Sequence, residues 1–244
     1  MLGLPEAITA CLFDMDGVIT QTAKVHDAAW KEMFDAFLRD WSASHDQPFV
    51  PFDPVADYEQ YVDGKPRLEG TASFLESRGI ELPMGEESDP AGKPTIWGLG
   101  NKKNDLIQQV IDRDGVQAYE GSVRYVNAAR EAGLRTAIVS SSANTEAVLK
   151  AAGVDGLFEV RVDHQVAEAA DLRGKPAPDT FLEAARLLGV AAANATVYED
   201  ALAGVAAGRA GKFGFVIGVD RVGQANELHA HGADVVVKDL ADLL

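Results

Sequence analysis

Apolar and polar positions follow two different rhythms along this chain. Residues 8–13 form an apolar run that predicts a first strand. From about Gly121 onward, short apolar runs alternate with helical patterns. Val123, Val126 and Ala129/Arg130 recur at helical spacing and stop at Gly133, and residues 136–139 read as a buried strand. Residues 145–152 predict a helix closed by Gly153, and 157–162 a strand. Residues 180–188 predict a helix with Phe181, Ala184, Ala185 and Leu188 on one face, stopped by Gly189. A strand at 195–198, a helix at 201–210 ending at Gly211, and strands at 213–219 and 234–237 complete the series. Such alternation implies an α/β chain with a Rossmann-like doubly wound parallel sheet, helices on both faces, and ligands at the carboxyl ends of the strands.

The stretch between Thr22 and Ala118 carries no alternating strand pattern. Val25, Ala28/Ala29, Met33 and Phe37 form a helical stripe with Trp30 and Trp41 nearby, and residues 70–78 and 104–112 also read as helices. Residues 81–100, rich in Pro, Gly and charge, are expected to be a long loop, the kind often used as a lid or binding loop. The expected organisation is a catalytic core of residues 1–22 and 118–244 with a helical cap, residues 23–117, inserted after the first strand.

Composition narrows the partners. The chain has 244 residues, 47% of them hydrophobic, enough for a full core, and a net charge of −16. That surface repels nucleic acid and anionic membranes, so an anionic substrate needs a local basic pocket or a metal. Cys11 is the only cysteine, which excludes an intrachain disulfide. With no basic leader and no long apolar run, the chain reads as a soluble cytoplasmic protein, a monomer or weak homodimer. Gly211-Lys212 is followed by Phe213, with Ala206 where the first glycine of a Walker A loop belongs. Gly98-Leu99-Gly100 runs on into Asn101-Lys102-Lys103. Neither is a nucleotide-binding signature.

Candidate chemistry gathers at strand ends. Asp14-Met15-Asp16-Gly17 puts two carboxylates at i and i+2 after the first strand, with Gly17 free to turn sharply. The pair suits a nucleophile and an acid/base beside one cation, or a polar turn. Ser140, Ser142 and Asn144 follow the second strand, where they can bind an anion or cap a helix. Lys175, in Gly174-Lys175-Pro176-Ala177-Pro178-Asp179, can neutralise a phosphoryl oxygen or simply face solvent. Glu199-Asp200 ends another strand and fits a hard cation or an acidic helix start.

Together, Asp14-x-Asp16-Gly17-Val18, Ser140, Lys175-Pro-x-Pro-Asp179 and Glu199-Asp200 with Gly204 resemble the four motifs of the haloacid dehalogenase superfamily. The resemblance implies that Asp14 attacks phosphorus, Asp16 moves the substrate's proton, and Ser140 and Lys175 bind phosphoryl oxygens. It also implies Mg²⁺ at Asp14, the Asp16 carbonyl and Asp200, with Glu199 alongside. Thr22, His26 and Trp30, Asp63-Gly64-Lys65-Pro66-Arg67, and Asn101-Lys102-Lys103-Asn104-Asp105 are similar to the β-phosphoglucomutase-like subfamily. That narrower resemblance implies that Arg67 grips the non-reacting phosphate. It places Lys103 and Asn104 near the sugar, and Ser142 and Asn144 on the transferring phosphate. Ala143 stands where the subfamily has a lysine, a charge that Lys65 is placed to restore. The implied activity is conversion of β-glucose 1-phosphate to glucose 6-phosphate. A phosphatase acting on a small sugar phosphate is the alternative, and an aspartate-phosphorylated regulator is a third, poorer fit.

Overall fold

Strand β1 (Ala10–Phe13) runs through the middle of a six-stranded, all-parallel sheet with order β3-β2-β1-β4-β5-β6. The computed structural model describes residues 2–244, apart from the side chain of Lys24. The other strands are β2 (Arg135–Val139), β3 (Val160–Val162), β4 (Ala195–Glu199), β5 (Phe215–Val219) and β6 (Val235–Val237). The order reverses between β1 and β4, and such a switch point opens a crevice at the carboxyl ends of the two strands. Register places Phe13 level with Ile138 and Tyr198, so the residues after these strands emerge side by side.

Both faces of the sheet are covered, which is why its strands read as continuous apolar runs. Ala10 and Leu12 belong to a core with Val139, Val197 and Val216, closed by Phe181, Ala184 and Leu188 of α7 (Asp179–Leu188) and Val205 of α8 (Leu202–Ala210). Cys11 and Phe13 point the other way. There Phe13 stacks on Tyr198 at 4.3 Å, and Tyr125 of α4 (Glu120–Glu131) meets Tyr198 hydroxyl to hydroxyl at 2.9 Å. The Tyr125 hydroxyl also reaches the Leu2 carbonyl at 2.9 Å, and the Cys11 sulfur lies 3.3 Å from the Tyr198 hydroxyl. The polar tips of these buried rings are therefore satisfied.

The chain divides into two compact units, residues 1–22 with 116–244, and residues 23–115. At the edge of the first unit the outgoing and returning segments are tied. Gln21 N–H donates to the Gln117 carbonyl at 2.8 Å, Tyr119 N–H donates to the Ile19 carbonyl at 2.9 Å, and Thr20 and Ala118 form an antiparallel bridge.

The second unit contains α1 (Ala23–Ser44), α2 (Arg67–Ser77) and α3 (Ile96–Asp114). Its centre is aromatic: Phe34 lies 5.3 Å from Trp30, 5.3 Å from Phe52 and 4.2 Å from Phe74. The buried face of α1 is Ala29, Trp30, Met33, Phe34 and Leu38, whereas Ala28 is exposed and Phe37 half-buried. The expected stripe is thus rotated by about one position, because the large rings carry more apolar area than the small residues on which the periodicity was counted.

Several boundaries differ from expectation. The expected helix at 104–112 starts at Ile96, so residues 96–100 are not loop. Thr95 N-caps it, its hydroxyl accepting from Gly98 N–H at 2.9 Å, and this overrides the low helix propensity of Gly98 and Gly100. The expected strand at 157–162 begins only at Val160, since residues 155–157 form a 3₁₀ turn. The one expected at 213–219 begins at Phe215, because Phe213 turns inward against Phe181 with ring centroids 6.1 Å apart. A π-helical turn (Tyr58–Val62) and the short helices α6 (His164–Ala169) and α9 (Ala225–His231) lay outside the expected elements. The remaining helix is α5 (Thr145–Ala151).

Candidate active site

The carboxyl ends of β1 and β4 bring acidic side chains together. One carboxylate oxygen from each of Asp14, Glu199 and Asp200 lies within 4.8 Å of the others. Asp14 N–H continues the sheet ladder to the Tyr198 carbonyl at 2.9 Å, which fixes Asp14 beside β4. Two glycines make the approach possible. A Cβ on Gly17, whose φ is +84°, would lie 1.6 Å from Asp200 Oδ2, and one on Gly204 would lie 1.8 Å from Glu199 Oε1.

Lys175 enters this cluster from the loop before α7. Its side chain is 1% exposed, with Nζ 2.5 Å from Asp14 Oδ1 and 2.6 Å from Glu199 Oε1. The ammonium also faces the Phe181 ring at 5.1 Å. The Lys175–Pro176 peptide bond is cis. Burial alone would make Lys175 easier to deprotonate, but the Asp14 and Glu199 carboxylates outweigh it and hold the ammonium firmly protonated. Asp14 is pushed well above the usual carboxylate range by burial. Lys175 pulls it back, and Glu199 and Asp16 add to the rise.

With all three ionised, the clustered carboxylates against one ammonium would carry an excess of two negative charges in a buried place. Hard oxygen donors with that excess fit a divalent cation, and a cation there would act with Lys175 to return Asp14 to its charged, nucleophilic form. Glu199 is fully buried and also accepts from Ala201 N–H at 3.1 Å.

Asp16 is not one of the three clustered carboxylates, although its charge acts on Asp14. Thr22 donates its hydroxyl to Asp16 Oδ1, and the Thr20 hydroxyl, itself bonded to the Met15 carbonyl at 3.1 Å, lies 2.7 Å from that of Thr22. The turn is closed by Gly17 N–H on the Thr20 carbonyl at 2.8 Å. The chain of hydroxyls orients the Asp16 carboxyl.

After β2 the three polar residues are linked to one another. Ser140 Oγ accepts from Ser142 N–H at 3.1 Å, and Ser142 Oγ accepts from Asn144 N–H at 3.1 Å. Asn144 precedes α5 without a side-chain capping bond, so capping does not explain its side chain. Ser140 is 4% exposed.

The second unit holds the remaining candidates. Lys103, on α3, is buried with Nζ 3.0 Å from His26 Nδ1 and 4.9 Å from the Trp30 ring centroid. Asn104 follows it on the same helix. Lys65 donates to Ser73 Oγ at 2.9 Å, and Arg67 lies over Trp97 at 5.9 Å. Partial burial holds both Lys65 and Arg67 below their usual pKa, with Glu69 pulling Lys65 back up and Glu87 and Asp105 pulling Arg67 back up. A cation that has lost water in this way gains from meeting an anion. The structure therefore groups Asp14, Lys175, Glu199 and Asp200 in one cluster, pairs Asp16 with Thr22, and pairs Lys103 with His26. Lys65 turns to α2.

Two site-bordering residues escaped the sequence reading. Arg221 donates through Nε to the Gly17 carbonyl at 2.7 Å and through Nη1 to the Lys238 carbonyl at 2.8 Å, its guanidinium 3.6 Å from the Tyr119 ring centroid. Gln224 donates to the Asp200 carbonyl at 2.9 Å. Both lie just past β5, at a strand end like the other motifs, but within a polar stretch that carries no string of its own to mark them.

Residues 8–212 match the family model for haloacid dehalogenase-like hydrolases. The β-phosphoglucomutase of Mycobacterium bovis is 54% identical over 247 aligned residues, covering 100% of this chain and 94% of that protein. The β-phosphoglucomutase of Bacillus subtilis is 30% identical, covering 96% and 91%. Among solved structures, the β-phosphoglucomutase of Clostridium difficile shares the fold with a TM-score of 0.77 at 24% identity, covering 97% of this chain and 93% of that one. By its motifs, its sheet and these matches, the chain belongs to the haloacid dehalogenase-like hydrolase family, and it is an enzyme of phosphoryl chemistry.

Proposed function

We propose that this enzyme is a Mg²⁺-dependent phosphotransferase that converts β-glucose 1-phosphate to glucose 6-phosphate through an aspartyl phosphate on Asp14. The observation that carries the reading is Lys175, a buried ammonium in contact with both Asp14 and Glu199 at the switch point of the sheet. It supplies positive charge where a phosphoryl group would meet the nucleophile.

In this reading Asp14 attacks phosphorus and the departing sugar oxygen takes a proton from Asp16, whose carboxyl Thr22 orients. Ser140 and Lys175 bind the phosphoryl oxygens, with Ser142 and Asn144 completing that side. Asp14, the Asp16 carbonyl and Asp200 would hold Mg²⁺, with Glu199 beside them. When bound, the ion supplies charge stabilisation to the phosphoryl oxygens as they move. The Asp14 phosphoryl group, supplied first by glucose 1,6-bisphosphate, passes to the 6-hydroxyl of β-glucose 1-phosphate. The bisphosphate so formed turns round and returns its 1-phosphoryl group to Asp14, releasing glucose 6-phosphate, so each transfer leaves one non-reacting phosphate that needs a cation of its own. Arg67 takes that part, with Lys65, Lys103, Asn104 and His26 around the sugar. The 54% identity to a protein named β-phosphoglucomutase supports the mutase over the phosphatase. Ala143, in place of a lysine, is the feature that favours hydrolysis.

The test is ³¹P NMR with Mg²⁺, β-glucose 1-phosphate and a trace of glucose 1,6-bisphosphate. Growth of the glucose 6-phosphate signal is expected. Growth of inorganic phosphate alone would replace the mutase reading with the phosphatase one.

A further inference from the structure

The segment joining α2 to α3 takes no part in the phosphoryl chemistry described above, yet it is tightly built. Asp89, only 8% exposed, sits at its centre. Its carboxylate accepts from Glu86 N–H at 3.2 Å, the Thr95 hydroxyl at 2.8 Å and Lys93 Nζ at 2.5 Å. The Asn101 amide reaches back to the carbonyls of Glu87 at 3.0 Å and Asp89 at 2.9 Å. Ile96 and Trp97 donate their N–H groups to the Pro83 and Met84 carbonyls, both at 3.0 Å. A Cβ on Gly85 would lie 2.3 Å from Asp89 Oδ2, so the winding depends on that glycine.

The product of this latch is a fixed Trp97 at the start of α3. Its half-buried indole faces Arg67, the guanidinium carbon 5.9 Å from the ring centroid. One turn along α3, a Cβ on Gly100 would lie 3.4 Å from Arg67 Cγ and Nε. The arginine's stem therefore runs along the helix where a glycine leaves room, and its head reaches the ring. Arginine gives up much rotamer freedom when its fork is aimed at a phosphate, and a ring face that already holds the head lowers that cost at binding.

We infer that Trp97, presented by the Asp89 latch, is a positioning residue that holds the Arg67 guanidinium for the non-reacting phosphate of the substrate. This rests on the reading of Arg67 as that phosphate's ligand. The segment 81–100 is then a determinant of affinity for sugars carrying a phosphate remote from the reacting one.

The test compares kcat and KM for β-glucose 1-phosphate, with glucose 1,6-bisphosphate present, in the wild type, Trp97→Phe, Trp97→Leu, Arg67→Ala and the Trp97→Leu/Arg67→Ala double variant. Trp97→Leu is expected to raise KM about fivefold to twentyfold with a much smaller change in kcat, and Trp97→Phe to recover most of the loss. In the Arg67→Ala background Trp97→Leu should add little. An equal penalty in both backgrounds overturns the inference while leaving the function intact. If Arg67→Ala itself leaves KM unchanged, the second phosphate site in the proposed function is what fails. If Trp97→Leu does not fold, ¹⁹F NMR of the 5-fluorotryptophan-labelled protein decides. The Trp97 resonance, assigned from Trp97→Phe, should move on adding glucose 1,6-bisphosphate, and should stay still in Arg67→Ala. A resonance that does not move in the unmutated protein, or moves equally in Arg67→Ala, overturns the inference.

Discussion

Replacing Lys175 by Met removes the positive charge that directly contacts two buried carboxylates. Asp14 and Glu199 lie 2.5 and 2.6 Å from Nζ, and the Lys175 and Glu199 side chains are 1% and 0% exposed. Removing one partner of a buried ion pair costs about 3–5 kcal/mol, mostly from the charge left behind, and here two charges are left. For a chain of this size each kcal/mol lowers Tm by about 2–4 °C, so a loss on the order of 10 °C is expected for the metal-free protein at pH 7.5. The loss should also depend on pH. The Lys175 pKa is raised in the fold, so its contribution is fully present below the unfolded-state value and fades only as pH rises through the higher folded one. Asp14 is raised too, so the folded chain holds its proton longer than the unfolded chain, and stability falls as pH climbs through that interval. Without Lys175 to pull Asp14 back, that interval extends to higher pH. The gap between wild type and variant should therefore be smaller near pH 4.5, where Asp14 keeps its proton, than above pH 7. Thermal melts across that range, in EDTA, measure it. A variant within 2 °C of wild type at pH 7.5, or a gap that does not change with pH, would refute the claim that this ion pair governs the electrostatics of the site.

Three further outcomes follow from the geometry. Asp14→Asn should abolish turnover while circular dichroism and Tm show a folded protein; activity near wild type would end the aspartyl-phosphate reading. Gly17→Ala drives a methyl to within 1.6 Å of Asp200 Oδ2 at a φ of +84°, and should weaken Mn²⁺ binding at least about tenfold by EPR titration. Burial pushes the Cys11 thiol up to about 12, with Tyr198 pulling it partly back. A water-soluble thiol reagent at pH 8 should thus label the protein only as fast as it unfolds, and rapid stoichiometric labelling would contradict the packing of β1.

The parts of the site legible in the sequence are those written as short strings at strand ends. Asp14-Met15-Asp16-Gly17 and Glu199-Asp200 each follow an apolar run, and the runs announce the strands. Arg221 and Gln224 were not legible, because an arginine in a polar stretch looks like any surface arginine until the chain is folded. What distinguishes Arg221 is the Gly17 carbonyl, more than two hundred residues away. The start of α3 was hidden for another reason. Gly98 and Gly100 depress helix propensity locally, while the benefit of having them there comes from the close approach of Lys93 and Arg67. The buried stripe of α1 was displaced by one position, from Ala28 and Phe37, because periodicity counts apolar residues without weighing their size.

The hydrogen bonds that tie Gln21 to Gln117 and Ile19 to Tyr119 set the terms on which this chain can acquire new sequence. With the two segments stapled at the rim of the sheet, whatever lies between them is a closed loop as far as the folding of the first unit is concerned. Loop-closure entropy grows only logarithmically, so even doubling the insertion would cost the sheet about 0.6 kcal/mol. The α/β unit can therefore remain nearly constant while the intervening residues lengthen, shorten or be exchanged, and a segment such as 81–100 is an addition that the catalytic fold barely registers.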